Sequence, residues 1–83
     1  MRTADDITLC LRALESAGVE IRTEAADAAG GLARLQGRYI FLVNSRASPD
    51  KTLENCIAAL RKFDIDTLRL PPRVRSLLGD SDW

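Results

Sequence analysis

The sequence predicts an α+β protein: a small two-layer α/β sandwich ordered α-β-β-β-α-(β)-α, with a mainly antiparallel sheet. Three observations carry that expectation. Tyr39 to Val43 is apolar on both faces, as a central strand would be that is covered on both sides, or by helices on one face and a partner on the other. Ser48-Pro49-Asp50 opens an amphipathic helix directly after it. A second amphipathic segment, with Ile7, Cys10, Leu11 and Leu14 at helical spacing, precedes the strands.

Taken in order, Thr3-Ala4-Asp5-Asp6 is a helix start, a hydroxyl followed by acids that suit the positive helix end. Gly18 is its stop. Val19 to Glu24 alternates apolar and polar, which predicts a strand with one wet face. Ala25 to Gly30 is a loop, and Gly30-Gly31 a turn or bulge at the mouth of the next strand. Gly31 to Gln36 is that strand, and Gly37-Arg38 turns it into an antiparallel hairpin with Tyr39–Val43. The helix after Ser48 runs Pro49–Phe63, with Leu53, Ile57 and Leu60 as its buried stripe and Cys56 beside them. Ile65 to Leu70 is a short strand candidate, stopped by Pro71-Pro72, and Pro72 to Leu78 a last helical piece ended by Gly79. The expected core is Leu11, Leu14, Phe41, Leu42, Leu53, Ile57 and Leu60.

At 83 residues the chain is one domain, expected over 1–79, with 80–83 a flexible acidic tail. A domain this small buries a modest share of its surface, which favours association. Hydrophobic residues are 46% and charged residues 29%, a globular balance that argues against disorder. Twelve cations match twelve acids, so no net charge draws the whole domain to nucleic acid or anionic lipid. The first residues lack the apolar core of a signal segment and no apolar run spans a bilayer, so the expected location is cytoplasmic, away from membranes.

The chain contains no histidine. That excludes a Ser-His-Asp triad, a Cys-His pair and a His-based metal site. Cys10 and Cys56 are too few for a zinc site and are expected to be reduced core residues. The glycines are not followed by Lys-Ser/Thr and make no phosphate loop. The acid pairs Asp5/Asp6, Asp64/Asp66 and Asp80/Asp82 are expected at solvated caps and loops. No catalytic, cofactor or metal residue is therefore expected. The candidate partner-binding residues are Arg61, Lys62, Arg69, Arg73 and Arg75, a local basic cluster near the C-terminus.

The segment Tyr39 to Leu60, a strand ending in Asn and leading through a short loop to a capped helix, resembles the core of the ImmA/IrrE-type zinc metallopeptidases. In that family the helix carries His-Glu-x-x-His. Laying Thr52-Leu53 on the family pattern sets Asn55 and Ala59 where the two zinc-binding histidines would stand and Cys56 where the general-base glutamate would stand. The resemblance therefore implies a degenerate peptidase-like fold without its metal. The whole chain also resembles small bacterial proteins with a Gly-Gly pair opening a strand, an apolar strand and a Leu-Pro-Pro-x-Val-Arg ending, a likeness that carries over no activity.

Three functions remain in play. The first is a non-enzymatic protein acting through protein contacts, as a homo-oligomer or with another protein, using Val19–Glu24 as an open sheet edge. The second is a peptidase-like regulator or adaptor. The third is a nucleic-acid-binding module using the Arg/Lys cluster, weakened by the scarcity of aromatic residues for base stacking.

Overall fold

In the computed structural model, which describes residues 3–25, 30–64 and 68–79, three helices accompany a three-stranded sheet. The class is α+β, as the sequence predicts. Helix α1 (Thr3–Ser16) carries Asp5 and Asp6 in its first turn. It ends where expected. Gly18 takes φ 91°, a left-handed conformation free of cost for glycine. Val19 N–H then returns to the Leu14 carbonyl at 3.1 Å, and Gly18 N–H to Glu15 at 2.9 Å. This pair of bonds satisfies the last carbonyls of the helix and aims the chain straight into a strand.

That strand, β1, covers Glu20–Glu24. Residues 26–29, part of the expected loop, lie outside the described residues. Strands β2 (Gly31–Leu35) and β3 (Arg38–Asn44) form the expected antiparallel hairpin. The turn sits one residue earlier than predicted. Leu35 pairs with Arg38, leaving Gln36-Gly37 as the two-residue loop, with φ 51° and 79°. Two positive φ values match the right-handed twist of the flanking strands.

The strand order is β1-β3-β2, with β1 parallel and β2 antiparallel to β3. The chain thus crosses from one edge to the other and inserts β3 between them. Gly30, just before β2, lies close against the β3 backbone. A Cβ built there would stand 2.4 Å from the Leu42 carbonyl oxygen, so only glycine fits against the β3 backbone.

Residues paired across the sheet share a face. Ile21, Phe41 and Leu32 form one row, and with Tyr39 and Val43 they pack into the core. The row Glu20, Ile40 and Ala33 faces the opposite way, as do Arg22, Leu42 and Gly31. The shortest dimension of the molecule is 17 Å, which fits one sheet and one helix layer. Leu42, expected in the core, is half-buried on the far face instead.

Helix α2 (Pro49–Leu60) starts as the sequence predicts, with the Ser48 hydroxyl accepting from Lys51 N–H at 3.2 Å and Pro49 in the first turn. It ends three residues before the expected Phe63, at the Arg61 cap. Its buried residues are Thr52, Cys56, Ala59 and Leu60, while Leu53 and Ile57 are half-buried at the flank. The inward face is thus turned from the predicted stripe. Small residues decide this: Cys10 and Ala13 of α1 and Cys56 and Ala59 of α2 are all buried and allow the two helices a close approach. Leu11, also expected in the core, is half-buried beside it.

Residues 65–67 of the expected fourth strand lie outside the described residues, and Leu68 to Leu70 are not strand. Helix α3 (Pro72–Leu77) follows, burying Val74, with Leu78 as cap and Gly79 at φ 80°. The acidic tail, 80–83, lies outside the described residues.

Leu60, fully buried, is therefore the sharp core probe on α2, and Ile57 the blunt one. Leu60→Ala should cost about 2–5 kcal/mol in urea unfolding, and Ile57→Ala clearly less. Equal losses would mean that the inward face of α2 is centred elsewhere.

Candidate functional site

The five candidate basic residues have different surroundings. Arg73 is committed to Asp6: its Nε and a terminal nitrogen donate to the two carboxylate oxygens at 3.0 and 2.9 Å. This bidentate pair ties α3 to the first turn of α1. Asp6 is only 5% exposed, so it is not the solvated cap its sequence context predicts. Arg73 holds the Asp6 carboxyl below its ordinary range chiefly by hydrogen bonding, and the partnership raises the Arg73 value in turn. Arg61 donates to the Leu78 carbonyl at 3.2 Å, closing the C-terminal end of α3. Lys62 is exposed in the turn after α2, and Arg75, in the last turn of α3, has an interaction of its own.

Arg69 stands apart from these. It lines a shallow cleft of about 200 Å³ with Leu9, Arg12, Ala13, Ser16 and Pro71. Neither Arg12 nor Arg69 makes an ion pair with another described residue. The sequence reading missed Arg12, which lies far from the cluster in the chain. Its only signal was a cation on the polar side of the first helix.

The second feature is the sheet edge. Strand β1 pairs with β3 alone among the described residues, as expected of an edge. Ser45 N–H donates to the Glu24 carbonyl at 2.9 Å, so the main chain of Glu24 points at β3. By the alternation of a strand, Arg22 and Glu20 do the same, and the main-chain groups of Ile21 and Thr23 point outward. Among the described residues nothing bonds them there. The side chains alternate oppositely. On the face that no described helix covers, Glu20 receives Arg22 at 2.5 Å and Arg38 at 2.6 Å, and this holds its carboxyl below the ordinary range. Ile40 and Leu42 lie beside them, half-buried.

Both thiols are free, fully buried and raised by burial, Cys10 to about 11 and Cys56 to about 12. Asn55 is half-buried and Ala59 buried, so the three positions matched to the peptidase motif lie on or beside the inward face of α2. Among the described residues no three Cys, Asp or Glu side chains gather as metal ligands would. No described helix is long and apolar enough to cross a membrane. Compared with known proteins, the chain matches no family model, no curated relative and no solved structure.

The Asp6–Arg73 pair predicts acid lability. A carboxyl whose folded value is depressed stabilises the fold above its unfolded value and loses that contribution as pH falls through the folded one. Wild-type melting temperature should therefore drop as pH falls below about 4. Asp6→Asn should be less stable at pH 7 and should lose much of that dependence. Parallel curves for the two proteins from pH 7 to pH 2.5 would show that the pair contributes nothing.

Proposed function

We propose that this chain is a non-enzymatic cytoplasmic protein that acts through protein–protein contacts, first of all with a second copy of itself. The observation that carries this reading is the free β1 edge. Ile21 and Thr23 hold main-chain donors and acceptors outward with no partner among the described residues. Such groups are a template for a further strand. The thin architecture supports it too, because Ile40 and Leu42 lie on a sheet face that no described helix covers. The two thiols speak for the non-enzymatic part. Held protonated inside the helix seam, they are not nucleophiles at neutral pH. Light scattering during size-exclusion chromatography should give a mass above the 9.1 kDa of one chain, falling toward it on dilution. One-chain mass at every concentration up to the millimolar range would refute self-association.

A second reading, binding of a nucleic acid, is favoured by Arg12 and Arg69, which share a cleft and lack acidic partners among the described residues. Paired guanidinium groups suit phosphates, and Lys62 adds an exposed cation at another point of the surface. Binding of a short single-stranded RNA should then weaken steeply with salt and fall for Arg12→Ala with Arg69→Ala. Binding untouched by both changes would remove the cleft from that role.

A further inference from the structure

We propose that two copies pair antiparallel through β1, with Ile21 opposite the second copy's Ile21 on the two-fold axis and Glu20 opposite the second copy's Arg22. The inference rests on the self-association reading and specifies its surface and register.

The main chain allows few arrangements. Hydrogen-bonded pairs of an antiparallel ladder join residues whose N–H and C=O both face the partner, here Ile21 and Thr23. A symmetric pairing then centres on Ile21, on Thr23, or on Arg22 between them. Charge and side-chain burial separate these three. Centring on Arg22 sets Arg22 against its copy and Glu20 against Glu24, all like charges on one face. Centring on Thr23 sets Arg22 against Glu24 twice but carries Glu20 past the end of β1, opposite position 26, outside the described residues. Centring on Ile21 matches equally many β1 residues, sets Glu20 against Arg22 twice, and puts two half-buried Ile21 side chains, which pack against the core, on the axis in place of two exposed threonines.

The Ile21 pair exchanges two main-chain bonds, and Val19, the next outward position, is buried in the core. The Val19 N–H is already spent on Leu14. Glu20 and Arg22 fall on the non-hydrogen-bonded positions, where opposed Cα atoms come within about 4.5 Å. Arg22 uses its Nε on its own Glu20, and its other guanidinium donors remain for the second copy. Ile21 faces the helix layer, so pairing continues the sheet with both copies' helices on one side.

The opposite edge lacks this self-complementarity. Strand β2, Gly31 to Leu35, carries Arg34 as its one charge, so two copies would bring no acid to meet it.

The test uses two cysteine variants. Glu20→Cys and Arg22→Cys, mixed under mild oxidation, should form a covalent mixed dimer, because opposed Cα atoms in this register fall within disulfide range. The mixed pair also keeps one Glu20–Arg22 contact, whereas either variant alone sets two cysteines against unaltered partners. Cys10 and Cys56 are buried and do not compete. Cross-linking should therefore be at least about tenfold faster in the mixture than in either variant alone. As a second measurement, Glu20→Arg should weaken dimerisation about tenfold or more, and adding Arg22→Glu should restore it. A wild-type dimer with no preference for the mixed disulfide and no rescue by the double exchange overturns the register but leaves self-association standing. A wild-type monomer at all concentrations overturns both. Binding of an unrelated strand-forming peptide at β1, with no dimer, assigns the edge to a different partner and overturns the proposal.

Discussion

Phe41 is the largest fully buried side chain, and it sits in the core cluster to which the sheet and both long helices contribute. It is wholly buried, with Ile21 beside it on β1 and Leu32 on β2. Burying a side chain of this size contributes about 1.5–3 kcal/mol, a large share of what a domain of this length can spare. Its strand, β3, is the central one and lies between β1 and β2 although it follows both in the chain. The crossing this requires brings the backbone at Gly30 against the Leu42 carbonyl. Gly30 is therefore required by its closeness to the central strand.

The charges follow a division of labour. Across the helix layer, Asp6 and Arg73 fasten a helix of only six residues, too short to stand alone, to the start of α1. Val74 and Leu78 then fill the core from that tethered piece. Arg61 closes the other end of the same helix. Two of the basic residues grouped by sequence proximity are thus occupied in holding one small element. The two cations of the cleft, Arg12 and Arg69, come from segments that the sequence keeps far apart.

The legible parts of this fold are those governed by local chemistry. Gly18 and Ser48-Pro49 state their caps in the sequence because one residue type meets one backbone need. The edge character of the Val19–Glu24 segment was legible too, since alternation in polarity implies one wet face. Other features depend on tertiary contacts. The parallel pairing of β1 with β3 leaves no local mark. The inward face of α2 misleads because Leu53 and Ile57 outweigh Cys56 and Ala59 in hydrophobicity, yet small residues are what a close helix pair needs at its seam. Asp6 looks like a first-turn carboxylate because its partner lies 67 residues away. Leu42 reads as core because an apolar strand does not announce which of its faces the helices will cover.

The sheet face that no described helix covers poses a physical problem on which the charges of β1 bear. An open sheet with Ile40 and Leu42 on one side invites indiscriminate stacking and edge pairing. Natural edges commonly suppress this with charge, but a row of one sign would repel every copy of the same chain. Glu20 and Arg22, two residues apart on one face, act differently. They neutralise each other within the strand and penalise any partner or register that does not present the reversed order. In a symmetric antiparallel pair the reversed order is supplied by the chain itself. The alternation of Glu20, Arg22 and Glu24 therefore filters partners by register: slipping the pairing to centre on Arg22 turns attraction into repulsion at every charged position. In the proposed pairing, such a strand favours a second copy of itself over the open-ended association that a longer, uncharged edge would permit.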